Sequence, residues 1–295
     1  MFNFAPISIK VQFMQRLSFS ISIQAPAQHV WFALWDDFHY RKWTSAFCEG
    51  SYVAGELAEG NKVHFLAPDG GGMYSHISLM QQPEKMYFSH IGELKNFEEQ
   101  PITEETKAWT GAKEHYTLTE NEGVTTLVLE TDLVEAHLEY FQAAFPKGLA
   151  ILKAEAENMY VTVQTEVKAP IEKVWAYWTE DKHITQWCFA SEDWHAPKSE
   201  NDLQVGGHFL TRMEAKDGSF GFDLKGTYSA VTKHEHIAYS SMEDGRKVRI
   251  DFLQKEGHIL VQEHFEPESE NSLELQKGGW QAILTNFNTY AERSS

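Results

Sequence analysis

Cysteine is scarce: Cys48 and Cys188 are the only two in 295 residues. Two cysteines exclude a disulfide framework and a multi-cysteine zinc site. Both are read as reduced thiols of a cytoplasmic protein. Basic residues are also few, with 25 Lys plus Arg against 43 Asp plus Glu and a formal net charge of −18. Such a surface repels phosphate backbones, so neither nucleic acid nor an anionic bilayer is an expected partner. Long apolar runs are missing as well. None reaches the roughly 20 residues that span a bilayer, so no membrane insertion is expected. The N-terminal stretch MFNFAPISIKVQFMQR is broken by Pro6, Lys10 and Arg16 and lacks the compact apolar block of a signal peptide. Met14 is a second candidate start beside Met1. No Gly-x-Ser-x-Gly elbow marks a nucleophile. Gly70-Gly71-Gly72 lacks the Lys-Ser/Thr of a phosphate loop and reads as a turn.

What is present is core material and a repeat. Apolar residues make up 42% of the chain, with nine Trp and nineteen Phe, so it can fold around large side chains. At roughly 150 residues per domain, the length predicts about two domains. Ser18–Trp43 reads SFSISIQAPAQHVWFALWDDFHYRKW, and Thr162–Trp187 reads TVQTEVKAPIEKVWAYWTEDKHITQW. Ala25-Pro26 falls on Ala169-Pro170, an offset of 169 − 25 = 144. The same offset carries Val30-Trp31 onto Val174-Trp175, His39 onto His183 and Trp43 onto Trp187. A repeat of about half the chain is a duplicated domain rather than a solenoid unit. The domains are therefore drawn as 15–157 and 158–295. No long linker lies near Glu157-Asn158, so the two are expected to pack together.

Each copy opens with alternating residues such as Phe19, Ile21 and Ile23, the pattern of a half-buried strand. The prolines Pro26 and Pro170 suit the first turn of a helix. That helix carries Val30, Trp31 and Leu34, or Val174 and Trp175, and a short helix then ends at Trp43 or Trp187. In the second copy, strands are predicted over Gly207–Met213, Phe220–Val231, Ile237–Met242, Lys247–Gln254 and His258–Phe265. Trp194-His195 reads as a loop pair. Asp69-Gly70 and Asp217-Gly218 read as hairpin turns. Each copy closes on a helix. Trp280, Ile283, Leu284 and Phe287 recur at helical spacing in the second; Phe145, Leu149 and Leu152 do so in the first, with Pro146 at an early position. Strands in sequence between single helical blocks make an α+β class with antiparallel sheets.

The motifs Ala169-Pro170, Val174-Trp175, Trp187, Val205-Gly206-Gly207-His208-Phe209, Asp217-Gly218, Gly226-Thr227-Tyr228 and Gly279-Trp280 span nearly all of 160–293. In this order they resemble the START-like, helix-grip (SRPBCC) superfamily. Within it the second copy resembles the homologues of the activator of the heat-shock-protein-ninety ATPase. The first copy is more divergent: Glu59-Gly60-Asn61 replaces the glycine pair, Ser75–Met80 carries no Gly-x-Tyr, and Phe145 stands at the usual Trp. The resemblance implies two tandem helix-grip domains, each a curved antiparallel sheet wrapped around a long C-terminal helix with a pocket between them. It also implies a possible chaperone partner. The superfamily hosts lipid carriers, hormone receptors, cyclases and chaperone cofactors, so function has to come from a site.

Ligand pockets are mostly apolar with a few oriented polar groups. In the second copy Trp187, Phe209, Met213, Phe222, Tyr239, Phe252 and Trp280 are the candidate ligand-binding residues. In the first copy they are Trp43, Phe65, Met73, Ile77 and Tyr87. With Ile77 inward, Val63, Ser75, Ser89 and Ile91 share its face. His64, Tyr74, His76, Phe88 and His90 then take the other. That histidine face, and the pair His234-x-His236, lack the further ligands of a metal site, so no metal is expected. No cofactor motif and no catalytic residue is assigned. His39 and His183 stand one helical turn from Trp43 and Trp187, either as a polar contact at the pocket mouth or as a cover for the indole.

Three functional readings follow. The first is a binding protein for a small apolar or amphipathic molecule. The second is an activator-like partner of a chaperone ATPase, and the third is a pocket enzyme (cyclase, dehydratase or hydrolase). A pocket-facing His or Tyr beside a carboxylate supports the third, and an entirely apolar pocket opposes it.

Overall fold

The computed structural model describes residues 14–268 and 270–293. Residues 1–13 of the stretch read against a signal peptide, and with them Met1 as a start, lie outside the described residues. The chain divides into two compact units, Met1–Asn158 and Met159–Ser295.

Domain one begins with β1 (Met14–Ile23), α1 (Ala27–Trp35), α2 (Asp37–Thr44), β2 (Tyr52–Ala54), β3 (Lys62–Leu66), β4 (Gly72–Gln81) and β5 (Lys85–Lys95). It continues with β6 (Glu98–Glu99), α3 (Glu104–Lys107), β7 (Lys113–Asn121), β8 (Val124–Val134) and the long α4 (Leu138–Glu157). The sheet order is β1-β8-β7-β5-β4-β3-β2, all antiparallel, with β6 as a side branch on β5. Domain two repeats the plan: β9 (Val161–Val167), α5 (Ile171–Thr179), α6 (Asp181–Ile184), β10 (Trp194–Asn201), β11 (His208–Ala215), β12 (Gly221–Thr232), β13 (His236–Ser241), β14 (Lys247–Lys255), β15 (His258–Phe265) and α7 (Leu273–Arg293). Its order is β10-β11-β12-β13-β14-β15-β9. In both, the first strand closes the sheet beside the last, and the terminal helix follows. These are two helix-grip domains in tandem.

The repeated Ala-Pro acts as a cap rather than a first turn. Pro26 and Pro170 stand just before α1 and α5 with ψ of 152° and 146°. Their carbonyls receive the N–H of Val30 and Val174, a role that needs no N–H from the proline. Val30, Trp31 and Leu34, and Val174 and Trp175, are buried. On α7, Leu284 and Phe287 are fully buried, each worth roughly 1.5–3 kcal/mol of apolar transfer. Trp280 and Ile283 stay half-buried and turn toward an open space in the domain.

Two readings of local structure are corrected. Pro146 is not early in its helix, because α4 starts at Leu138 and places the proline inside. An interior proline forgoes one helical hydrogen bond. Trp194-His195 is not a loop pair but the start of β10, an edge strand with a register shift between His195 and Lys198. An edge strand tolerates Pro197 because one side of its ladder is unpaired.

Candidate functional site

In domain two a cavity of about 260 Å³ remains between sheet and terminal helix. Strand alternation decides which side chains reach it. Phe209, Thr211 and Met213 come from β11, Tyr239 from β13, and Val248 and Ile250 from β14. Trp178, Trp187 and Cys188 come from the α5–α6 region, and Trp280 and Ile283 from α7. Phe222 lines it while 39% exposed, at its open side. Six of the seven expected residues of this copy therefore line one space. Phe252 does not; it packs in the core against Trp175 and Trp178 at 5.3 and 5.6 Å between ring centres. The walls are rings on rings: Phe265 stacks on Trp280 at 4.3 Å, and Phe209 meets Tyr239 at 4.8 Å. Gly226 makes the second contact possible, since a Cβ there would lie 2.4 Å from Phe209.

A polar group stands among these rings that the apolar pattern did not select. Glu263 is 6% exposed, lines the cavity, and makes no hydrogen bond or ion pair to any described residue. Burial pushes its carboxyl up to about 8, so at neutral pH it holds its proton and can both donate and accept. Burial first, and Glu263 second, push the Cys188 thiol up to about 12, which disfavours its thiolate form. The signal was available in β15, where Ile259, Val261, Glu263 and Phe265 alternate with His258, Leu260, Gln262 and His264. Glu263 falls in the apolar phase.

Domain one has a cavity of about 220 Å³ lined by Trp43, Phe65 and Met73 together with α4 residues such as Phe141 and Phe145. Ile77 is fully buried but lies outside that lining. Tyr87 points the other way: it stacks on His115 at 4.0 Å, and its hydroxyl meets Thr117 at 3.2 Å. The reason is register. Two irregularities in the β4–β5 pairing place Ser75 opposite His90 and Ile77 opposite Phe88. Opposed residues share a face of the sheet. Phe88 and His90 therefore turn inward, and Tyr87 and Ser89 outward. Of the expected histidine face, His64, Tyr74 and His76 do share the side away from Ile77, with His64 bound to Glu99 at 2.9 Å and His76 exposed, but His90 and Phe88 leave it. His90 instead begins a buried chain. Its Nδ1 lies 2.7 Å from Ser75 Oγ, its Nε2 lies 3.5 Å from Glu114, and the Tyr116 hydroxyl donates to Glu114 at 2.6 Å.

The duplicated histidines line neither cavity. They fasten each short helix to the terminal helix. His39 meets Glu155 of α4 at 2.8 Å, and His183 meets Tyr290 of α7 at 2.7 Å. Burial alone would raise the Glu155 carboxyl, but His39 and Lys42 outweigh it and hold it below the usual value. His236 pairs with Asp251 at 2.8 Å, whereas His234 packs edge-on against Trp175. Among the described residues no three His, Cys, Asp or Glu side chains gather as a metal site.

Residues 168–292 match the family model described as Activator of Hsp90 ATPase homolog 1-like protein. An AHSA1-like protein from Aeromonas hydrophila is 40% identical over 45% of this chain and 92% of its own, with a TM-score of 0.44. The second domain belongs to this family. A protein from Cytophaga hutchinsonii is 50% identical over 45% of this chain and 91% of its own, with a TM-score of 0.41. The di-domain ARO/CYC BexL from the BE-7585A biosynthetic pathway is 14% identical over 96% of this chain and all of its own, with a TM-score of 0.37. No curated protein matches the chain. In the AHSA1-like domain the family motifs hold the cavity open: Gly226 makes room for Phe209, the Tyr228 hydroxyl donates to Asn201 at 2.8 Å, and Trp280 forms a wall.

The two cavities differ by an exchange of carboxylates, which strand register makes visible. Phe19 pairs with Leu129 and Val163 with Glu263; since 163 − 19 = 144, Leu129 stands where Glu263 does. Leu17 and Val161, again 144 apart, pair with Thr131 and Phe265. Those two are in turn opposite Glu114 and Val248. Glu114 thus stands where domain two has Val248.

Proposed function

We propose that domain two binds a small, largely apolar molecule carrying one hydrogen-bonding oxygen, which the protonated Glu263 carboxyl engages. The observation that carries this reading is a nine-tenths buried carboxyl that faces an aromatic cavity and has no partner among the described residues. Leaving such a group unmet costs roughly 1–3 kcal/mol, and a ligand oxygen would recover part of that. The unpaired cysteines, Cys48 exposed and Cys188 buried, accord with the reducing conditions of the cytoplasm. Among the described residues no helix is long and apolar enough to cross a membrane.

The test is titration of the full chain with N-phenyl-1-naphthylamine, followed by displacement with decanol or decanoic acid. Saturable dye binding, with displacement by decanol that weakens several-fold in Glu263→Leu, supports the reading. Absence of saturable binding, or identical decanol affinity in the folded variant, ends it.

The enzyme reading finds its support in domain one, where His90 and Tyr116 flank Glu114 in the cavity wall. Conversion of a carbonyl-bearing probe that is abolished in Glu114→Gln would establish it. The chaperone-partner reading rests on the family description; a pull-down without binding and without ATPase stimulation would end it.

A further inference from the structure

Domain one builds a box of a different kind. More than half of the residues lining its cavity are aromatic, and none is Lys or Arg. Near Glu114 the rings turn sharply against one another. Trp35 meets Tyr116 at 82° and 5.0 Å, Tyr40 meets Trp43 at 76° and 5.5 Å, and Trp43 meets Phe47 at 84° and 5.9 Å. Rings set at such angles present faces and edges to a common space from several directions. The face of an aromatic ring is its negative side. Glu114 is held in the wall by the Tyr116 hydroxyl, and its second oxygen lies near His90. Tyr52 already carries Arg41 over its ring at 4.7 Å, so cations are compatible with this rim but that ring is taken.

A cation over such faces gains roughly 0.5–1 kcal/mol per exposed contact and 2 or more when water is excluded. A carboxylate in the same wall adds direct charge complementarity, and the chain's net charge of −18 favours approach of cations from solution. We infer that the domain-one cavity is a binding site for a small organic cation of the quaternary or tertiary ammonium class. The rings take the alkyl-ammonium head, and Glu114 sits at the charged pole. This reading does not depend on that of domain two, whose cavity keeps its deepest carboxyl protonated at neutral pH and selects for a neutral oxygen.

The experiment uses the full chain, calorimetric titration, and two probes of equal shape. Choline carries the charge; 3,3-dimethylbutan-1-ol is its neutral counterpart. Choline is expected to bind at least tenfold more tightly than the alcohol. Glu114→Gln is expected to weaken choline at least tenfold and leave the alcohol unchanged, while Glu263→Gln leaves choline unchanged. Equal affinity for the two probes overturns the inference, as does no binding of choline, or sensitivity of choline to Glu263→Gln alone. The comparison of probes on the unmodified chain stands even if Glu114→Gln fails to fold. Loss of naphthylamine binding would overturn only the domain-two reading.

Discussion

Glu263 makes the stability of domain two depend on pH, with a sign opposite to that of a surface carboxylate. Its ordinary value of 4.5 is raised by burial to about 8. In the unfolded chain the group ionises above 4.5, whereas in the fold it keeps its proton until about 8. Between these values the unfolded state binds fewer protons, so stability falls as pH rises, by about 1.4 kcal/mol per pH unit. Below 4.5 the cost is absent. At pH 7 it is about 3 kcal/mol, and above 8 it levels off at about 5 kcal/mol. Glu263→Gln keeps the shape and removes the charge. Chemical unfolding of the two proteins at pH 5, 6, 7 and 8 should give a difference curve that favours the variant increasingly, with most of the change between pH 5 and 8. The domain-two transition is the one to follow, because two domains need not unfold as one. A flat difference across that range would refute the claim that Glu263 is buried without a partner. Saturating domain two with a ligand held by the protonated carboxyl should extend the fall in stability to pH values above 8, in the unmodified chain only.

Further outcomes follow from single contacts. Gly226→Ala places a methyl 2.4 Å from Phe209; we expect about 1–3 kcal/mol of destabilisation from overpacking and weaker naphthylamine binding, measured by thermal melting and titration. Phe252→Ala should cost about 3–5 kcal/mol in stability but leave naphthylamine affinity unchanged while the domain remains folded, since that ring lies outside the cavity. His39→Ala removes a 1% exposed ring from Glu155 and should lower the domain-one melting transition more than Tyr290→Phe lowers that of domain two. The second change deletes one half-buried hydrogen bond worth about 1 kcal/mol.

The offset of 144 residues made the architecture legible, because Ala-Pro, Val-Trp and the paired His and Trp are rare residues in fixed register. Each proved to sit at a geometric necessity: a helix cap, a buried stripe, a tie between helices. Faces of single strands were read less well. Tyr87 was assigned inward by counting from Ile77, and two irregularities in the β4–β5 pairing reversed the phase. A hairpin's register depends on bulges that alternation alone does not show. Trp194-His195 was read as a loop pair, whereas it opens an edge strand, where Pro197 is tolerated. Pro146 looked like a helix start because the apolar stripe begins at Phe145, and the preceding turns of α4 carry few buried side chains. Glu263 was missed for another reason. The inward phase of β15 is regular, but no faces were assigned along that strand and no pocket residue was drawn from it.

Between the copies, the acid among the rings has changed strand: β15 carries it in domain two and β7 in domain one, with leucine and valine at the vacated positions. Column-by-column comparison of the repeats would score both exchanges as loss. Across neighbouring strands of an antiparallel sheet, however, two residues facing one cavity are interchangeable in what they offer a guest, though not in the direction from which they offer it. Relatives of this chain are therefore better sorted by whether a cavity retains an acid, and from which side it projects, than by the residue at any one position. A guest would meet its polar contact from a different wall in each half, so a molecule fitted to one domain should present its polar end wrongly to the other.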